Sequence, residues 1–171
     1  MALIHEAVGR VVYDPSGQFQ EGTLVVMIPN TPSENDEVIA ENYLRSSQFR
    51  ASGFDGFMQE YVSMKPDRLV PLPEDINLSV AAFTEIVSVS YHAIQRFLRF
   101  SHTRRNVIGV WGDGNLGYIT SLLLKIILPE SRICVFGVNE YKLHDFSFAD
   151  DVFLISEIPD DFYLDHAFEC V

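Results

Sequence analysis

The sequence predicts an α/β protein in which a small, irregular β-barrel precedes a doubly wound parallel sheet. Short apolar runs separated by turn residues fill the first 76 residues, a pattern typical of short barrel strands. From residue 77 onwards, strand-like runs alternate with helix-like runs, which predicts parallel strands joined by helices. A glycine-rich stretch lies between the first of these strands and its helix. We therefore predict two parts, residues 1–76 and residues 77–171.

Two strands are predicted near the start of the chain. Residues 8–13 and 23–28 are rich in valine, and the turn sequence DPSG lies between them. Proline, serine and asparagine mark residues 30–53 as a loop, with a short helical turn at residues 37–44. Strand-like alternation returns at residues 55–73, where three prolines interrupt it.

The second part begins with a helix. Asn77 or Ser79 is a suitable cap for a helix that runs to about residue 100, with a break near residues 85–88. A second helix, at residues 116–128, connects the first two strands of the predicted sheet. These parallel strands are predicted at residues 107–111, 133–136, 152–155 and 167–171.

The stretch NVIGVWGDGNLG contains a G-x-G-x-x-G motif between a predicted strand and a predicted helix, the context that indicates a dinucleotide site. Gly112 allows a tight turn, Gly114 allows the backbone to approach a pyrophosphate, and Gly117 allows the helix to pack closely on the strand. The amide end of the helix then faces the phosphates. An ordinary glycine-rich turn is the alternative. The residues predicted to bind the cofactor here are Gly112, Asp113, Gly114, Asn115, Leu116 and Gly117.

Composition restricts the class of partner. The formal net charge of −12 argues against nucleic acid and anionic membranes. The start of the chain lacks the basic and apolar regions of a signal peptide, and Lys125 interrupts the longest apolar run, so we predict neither secretion nor a membrane span. Cys134 and Cys170 lack metal-binding spacing, which predicts buried thiols in a reducing cytoplasm.

Motifs along essentially the whole chain resemble those of one family. In the family's order they are HEAVGRVV, EGTLVVMIP, DGFMQEYV, RLVPLPEDI, TEIVSVSYHA, GVWGDGNLGYI and FECV. They resemble the medium-chain, zinc-type alcohol and polyol dehydrogenases. Within that family, the ribulose-5-phosphate reductases are most similar to the segments IHEAVG, VIAENYLRSS, WGDGNLGYIT, YKLHDFSF and DHAFECV.

The resemblance implies a partial GroES-like catalytic barrel followed by a partial Rossmann domain. For the full-length parent protein it implies zinc-dependent, NADP(H)-linked reduction of ribulose 5-phosphate to ribitol 5-phosphate, a precursor of teichoic acid or capsule. Family members are roughly twice as long, in line with two domains of ordinary size. The segment with a cysteine zinc ligand and the end of the nucleotide-binding sheet are therefore expected to be missing. The alternative is a truncated, non-catalytic remnant or fragment that retains at most part of a nucleotide site.

The expected partners follow from the same resemblance and from the unfinished sheet. A sugar phosphate is the expected substrate. An incomplete parallel sheet leaves an unpaired edge, which predicts association with a second copy of the chain as a homodimer. A cytidylyltransferase is a further expected partner in the parent pathway.

The resemblance assigns three zinc ligands. His5 and Glu6 correspond to the family's His-Glu pair, and Glu85 corresponds to the carboxylate of its E-x-x-S-V-x-x-H-A pattern. Catalytic zinc needs three protein ligands and an open position for substrate. The spacing alone predicts no metal site, and without the family these are ordinary surface residues. His92, in the same pattern, is either a proton relay or a packing histidine. Residues 30–53 contain no cysteine, so a second, structural zinc is not expected.

The end of the second predicted strand bears on the choice of cofactor. NAD-preferring folds place an acidic residue there for the ribose 2′-hydroxyl. This chain has Gly137, which leaves room for a 2′-phosphate, followed by Tyr141 and by Lys142, which supplies a countercharge. These residues favour NADP. Two alternatives remain: Glu140 could accept hydrogen bonds from the ribose in place of the usual acidic residue, or Tyr141 and Lys142 could belong to an ordinary solvated loop.

Overall fold

The computed structural model describes residues 2–171. The chain divides into two compact units, one up to Glu85 and one from Ile86 onwards. The assignment of residues 1–76 to a catalytic domain, and of residues 77–171 to linking helices and a nucleotide-binding domain, stays a prediction. Among these residues, the helices are too short or too polar to span a lipid bilayer.

The first unit contains two three-stranded sheets built from short strands. The first sheet is antiparallel, in the order β1-β2-β6. Its strands are β1 (Val8–Arg10), β2 (Leu24–Met27) and β6 (Leu69–Pro71). The second sheet has the order β3-β4-β5, with an antiparallel and a parallel pair. Its strands are β3 (Asn30–Thr31), β4 (Gln48–Arg50) and β5 (Gly53–Phe54).

The predicted strands of this unit are present but shorter than predicted. β1 ends at Arg10, although Val11 still accepts a hydrogen bond from the Gly22 amide (2.7 Å). Asp14 ends the strand because its carboxylate accepts hydrogen bonds from the amides of Ser16 and Phe19, both at 2.8 Å, which folds the chain into a turn. Most of the predicted strand-like stretch at residues 55–73 is irregular, and only β6 is a strand.

The helices follow Asn77, as predicted. The Asn77 side chain accepts hydrogen bonds from the amides of Ser79 and Val80 and caps α1 (Leu78–Ala81). A break separates α1 from α2 (Thr84–Phe100), but it lies at residues 82–83 and not at the predicted 85–88. Thr84 explains the position, because its hydroxyl donates to the Ala81 carbonyl (2.6 Å) where α1 ends.

The second unit contains a four-stranded parallel sheet, which confirms the predicted α/β class. Its order is β10-β7-β8-β9, so the chain reverses its direction across the sheet beside β7. Such a switch point is where open α/β sheets bind ligands. The elements are β7 (Val107–Trp111), α3 (Asn115–Ile127), β8 (Arg132–Gly137), α4 (Glu140–Leu143), β9 (Asp151–Leu154) and β10 (His166–Glu169).

Alternate residues of the central strands β7 and β8 form the core on the two faces of this sheet. On one face, Ile108, Val110 and Ile133 are fully buried against Ile94 of α2 and Leu124 of α3. On the other face, the buried strand residues pack with aromatic rings. They are Val107, Cys134 and Phe136, in contact with Trp111, Phe153 and Phe162. Because both faces are covered, the central strands are continuous apolar runs in the sequence.

Both cysteines are free thiols; Cys134 is buried, as predicted, whereas Cys170 is only partly buried. Burial, together with the nearby Asp151 carboxylate, raises the pKa of Cys134 to about 12. Burial also raises the pKa of Cys170. Neither thiol is therefore activated as a nucleophile, because the thiolate is the reactive form.

Asp165 joins the loop before β10 to the start of β7. Its Oδ2 accepts hydrogen bonds from the backbone amides of Asn106 (2.8 Å) and Val107 (3.1 Å), and Arg104 Nε lies 2.5 Å from Oδ1. Burial alone would raise the pKa of Asp165. The two amides and the guanidinium outweigh burial and hold the pKa below its usual value.

We expect Asp165→Asn to lower the thermal midpoint by about 5 °C, because an amide oxygen binds these donors more weakly than a carboxylate. The folded pKa lies below the unfolded value, so the stabilisation is present above about pH 4 and is lost as the pH falls through the folded pKa. Thermal melts of both proteins at several pH values test this. Asp160→Asn, on an exposed turn, is the matched control. Equal midpoints for Asp165→Asn and wild type at neutral pH would contradict the expectation.

Candidate functional site

Two of the three motif glycines are required by close packing at the turn between β7 and α3. Gly112 has φ +134°, and a Cβ atom there would lie 2.5 Å from the Cys170 carbonyl oxygen. A Cβ atom at Gly117 would lie 2.0 Å from the Gly112 carbonyl oxygen. The turn is also tied to the sheet, because the Gly112 amide donates to the Phe136 carbonyl (2.9 Å). The chain therefore turns from strand to helix as tightly as the motif predicts.

Gly114 has a different environment. It is the N-cap of α3, its backbone is extended, and its side of the turn is open, since an added Cβ would meet no atom within 4 Å. No side chain caps this end of the helix. The first amides of a helix lack partners within it, and with the helix dipole they bind anions. This open cradle fits a dinucleotide pyrophosphate.

Asp113 connects the glycine turn to the end of β8. Its Oδ2 accepts hydrogen bonds from the amides of Val138 (2.9 Å) and Asn139 (2.8 Å), and Lys142 Nζ lies 3.9 Å from Oδ1. Burial alone would raise the pKa of Asp113, but these amides and the Lys142 charge lower it, so the carboxylate is ionised at neutral pH.

The Asp113 side chain also occupies the space beside Gly137. A Cβ atom at Gly137 would lie 2.7 Å from Asp113 Cβ and 2.8 Å from Leu143 Cδ2. The sequence predicts this space for a 2′-phosphate, whereas the structure shows a carboxylate there. Tyr141 and Lys142 are exposed on α4 nearby.

In the first unit, three side chains bring possible metal ligands together. The atoms that His5, Glu6 and Glu85 offer all lie within 4.8 Å of one another. His5 Nε2 is 3.5 Å from Glu6 Oε1 and 4.0 Å from Glu85 Oε2. Zinc bound at about 2.1 Å from each donor would hold tetrahedral ligands about 3.4 Å apart. One imidazole and two carboxylates at these separations fit a zinc ion after a small contraction.

Backbone pairing with a distant segment places His5 in this cluster. The amides of Gly56 and Phe57 donate to the carbonyls of Ala2 (2.8 Å) and Ile4 (2.7 Å). Gly56 is required there, because an added Cβ would lie 2.3 Å from the Ile4 oxygen. Ile4 has φ +67°, a strained conformation for a β-branched residue, and strain of this kind is concentrated at functional sites.

Glu85 is the most buried member of the cluster. It lies in the first turn of α2, and its side chain is 10% exposed, compared with 39% for His5 and 33% for Glu6. Burial raises the pKa of Glu85, the His5 charge lowers it, and the Glu6 carboxylate raises it again, with a net increase. A cation at the cluster would favour the ionised form.

Of the other predicted residues, His92 lies on an exposed position of α2 in the second unit. Phe49 was not predicted, although its ring meets the His5 imidazole edge-on with centroids 5.1 Å apart. No sequence pattern pointed to Phe49, because the contact joins residues from β4 and from near the start of the chain.

Comparison with known proteins identifies relatives over the whole chain. Ribulose-5-phosphate reductase 2 of Staphylococcus aureus (strain NCTC 8325 / PS 47) is 61% identical over 171 residues, which are 100% of this chain and 50% of that protein. The ribulose-5-phosphate reductase of Bacillus spizizenii (strain ATCC 23059 / NRRL B-14472 / W23) is 60% identical with the same coverage. The chain is a homologue of the ribulose-5-phosphate reductases. It spans about half the length of these curated relatives. No protein-family model matches it.

Solved structures agree with this relationship. Staphylococcus aureus TarJ, crystallised in complex with NADPH, has a TM-score of 0.79 and 52% identity over 100% of this chain and 47% of its own. Haloferax mediterranei glucose dehydrogenase, solved with NADP, Zn and gluconolactone, has a TM-score of 0.83 at 22% identity, covering 99% of this chain and 53% of that chain. The second match shows the fold alone. The medium-chain dehydrogenase fold and the predicted resemblance are confirmed.

Proposed function

We propose that the chain supplies the metal cluster and the nucleotide cradle of a zinc-dependent, NADP(H)-linked reductase that converts ribulose 5-phosphate to ribitol 5-phosphate. The observation that carries this proposal is the 61% identity to a ribulose-5-phosphate reductase over all 171 residues. The clustering of His5, Glu6 and Glu85 supports the zinc-dependent part of the proposal, because their donor atoms lie close enough together to hold one metal ion.

In this proposal each group of residues has a separate role. His5, Glu6 and Glu85 hold zinc, and α3 presents its amide end to the pyrophosphate of the dinucleotide. When bound, zinc polarises the ketone oxygen and NADPH supplies the hydride. The His5 ring is kept in place by Phe49, and the backbone of residues 2–4 is kept in place by residues 56–58. These contacts keep the donor set organised.

The preference for NADP(H) is part of the proposal. It is supported by Lys142, whose half-exposed ammonium is bound only loosely by Asp113 at 3.9 Å, and by the NADPH complex of the 52% identical TarJ. A 2′-phosphate would replace the Asp113 carboxylate as the partner of Lys142. The cytoplasm as the site of action, the homodimer and a cytidylyltransferase partner remain predictions. For the homodimer, the edge strands β9 and β10 each pair on only one side.

The alternative, a non-catalytic remnant or fragment, is supported by the cluster's composition. It contains no thiolate, and a soft anionic ligand normally strengthens zinc binding. In this alternative, the chain retains the pyrophosphate cradle but binds zinc weakly and does not reduce a substrate.

Oxidation of NADPH by the purified chain in the presence of ribulose 5-phosphate tests the proposal. We expect turnover that depends on added zinc, with NADPH preferred over NADH by about tenfold because of the Lys142 charge. Unphosphorylated ribulose and a zinc-chelated sample are the controls. Absence of turnover together with clearly substoichiometric zinc after metal loading would reject the reductase and support the remnant.

A further inference from the structure

Cationic side chains line a cavity of the first unit, although the chain as a whole has a net charge of −12. The cavity encloses about 460 Å³, a volume typical of small-molecule sites. Three cationic side chains line it, Arg50, Lys65 and Arg68, together with a single carboxylate, Asp55.

Arg68 does not contribute free charge to the cavity. Its Nη1 lies 2.6 Å from Glu41 Oε1, and its Nη2 lies 3.0 Å from Asp67 Oδ2. These hydrogen bonds raise the pKa of Arg68, and Glu41 contributes most. The two carboxylates more than balance the charge of the guanidinium, which serves to hold the wall of the cavity.

Arg50 is fixed in place, but by neutral groups. Its guanidinium donates to the carbonyl oxygens of Asp55 (3.1 Å) and Ser63 (3.2 Å) and to Met64 Sδ (3.5 Å). Carbonyls and a thioether orient the side chain without cancelling its charge. A guanidinium held in this way has lost part of its side-chain entropy and is prepared to bind an anion.

Lys65 provides the second positive charge. Its side chain is exposed at the cavity, and no ion pair of Lys65 occurs among residues 2–171. The Asp55 carboxylate on the same wall accepts a hydrogen bond from the Ala2 amide (2.7 Å). Among the described residues, Arg50 and Lys65 are therefore the cations of the cavity wall that no carboxylate pairs with, and these two side chains are suited to bind an anion.

Phe49 links this cavity to the metal cluster. Its side chain lines the cavity, and its ring contacts the His5 imidazole edge-on with centroids 5.1 Å apart. The two sites therefore share a wall. In a small ketose phosphate, only a few bonds separate the ketone from the phosphate, so one molecule can reach both sites.

We propose that Arg50 and Lys65 bind the phosphate group of the ketose substrate in this cavity. The inference rests on the proposed function, because it assumes that the ketone lies at the cluster of His5, Glu6 and Glu85. Arg50 supplies an oriented guanidinium and Lys65 a mobile point charge, a combination suited to a terminal phosphate. The polar side chains of Thr31, Gln48 and Ser63 line the same cavity and face the sugar hydroxyls.

Isothermal titration of the chain with ribulose 5-phosphate, ribulose and inorganic phosphate tests this site without requiring turnover. We expect ribulose 5-phosphate to bind more tightly than ribulose. Lys65→Met should weaken the binding of ribulose 5-phosphate on the order of tenfold and leave the binding of ribulose unchanged. Arg45→Met removes an exposed cation of the same unit outside the cavity and should change neither affinity. An equal loss in both variants, or no loss in Lys65→Met, would overturn the assignment.

Arg50→Lys provides a second measurement that keeps the positive charge and removes the fork of donors. We expect it to weaken ribulose 5-phosphate binding and to leave the circular dichroism spectrum unchanged, whereas unchanged binding would count against Arg50. NADPH titration separates this inference from the proposed function. If Lys65→Met loses ribulose 5-phosphate binding and the wild type does not bind NADPH, the phosphate site in the cavity is supported and the reductase is rejected. Normal NADPH binding with no effect of Lys65→Met would reject only the cavity.

Discussion

Gly117→Ala is expected to destabilise the second unit by about 3 kcal/mol, the largest loss of stability for any single methyl group added at the glycine turn. The added Cβ would lie 2.0 Å from the Gly112 carbonyl oxygen, and a backbone atom cannot move aside as a flexible side chain can. Alanine normally stabilises a helix by up to about 1 kcal/mol relative to glycine, so the clash outweighs the propensity. Urea unfolding followed by circular dichroism measures the loss.

Gly114→Ala is the matched control for this prediction, because its Cβ would meet no atom within 4 Å and its backbone is extended. We expect its stability to stay within about 0.5 kcal/mol of wild type. The methyl group would occupy the open side of the cradle, so NADPH binding, followed by fluorescence, should weaken at least about tenfold. A stable Gly117→Ala protein would contradict the packing argument, and unchanged NADPH affinity in Gly114→Ala would contradict the cradle.

Sequence patterns predicted the second unit well because its strands satisfy local rules. β7 and β8 are buried on both faces, so their residues form continuous apolar runs that are visible without any knowledge of their partners. The glycine motif could be predicted for the same reason. Gly117 meets a requirement within one turn of the chain, the close approach of the Gly112 carbonyl, whereas Gly112 also makes room for the distant Cys170 carbonyl.

The first unit was harder to predict, because long-range pairing determines much of its structure. The segment around Gly56 has a strand-like pattern, yet its amides bond to carbonyls of residues 2–4 and it forms no regular strand. β3 and β5 contain two residues each, which are too few to show the alternation of apolar and polar residues that predicts a strand. Such strands depend on their neighbours and not on their own sequence.

The candidate sites also differ in whether local sequence patterns or long-range contacts determine them. The metal donors were assigned through family resemblance, since adjacent histidine and glutamate with a distant third residue form no metal motif. The role of Asp113 escaped prediction, because the amides that donate hydrogen bonds to it, those of Val138 and Asn139, follow the next strand. A motif predicts the turn that contains it, but not the side chain from that turn that fills the space beside Gly137.

Zinc is expected to stabilise the first unit, and Glu85→Gln should abolish that effect. A ligand at about a hundred times its dissociation constant adds about 2.7 kcal/mol, which for a unit of this size raises the thermal midpoint by roughly 15 °C. In chelator, where no zinc is bound, Glu85→Gln should no longer be the less stable of the two proteins. Burial raises the pKa of Glu85, so its contribution to stability is present below the unfolded pKa and is lost as the pH rises through the folded value. At neutral pH the glutamine variant should therefore be at least as stable as wild type.

Thermal melts of wild type and Glu85→Gln, each in chelator and in increasing zinc, check both halves of this prediction. Glu60→Gln, at an exposed position of the same unit, should follow wild type in both conditions. The reversal separates a ligand from a merely structural residue, because a structural carboxylate would stabilise the chain with or without metal. If Glu85→Gln and wild type gained equal stability from zinc, Glu85 would not be a ligand. If neither gained, then His5, Glu6 and Glu85 would be a cluster without metal, and the reductase would lose its Lewis acid.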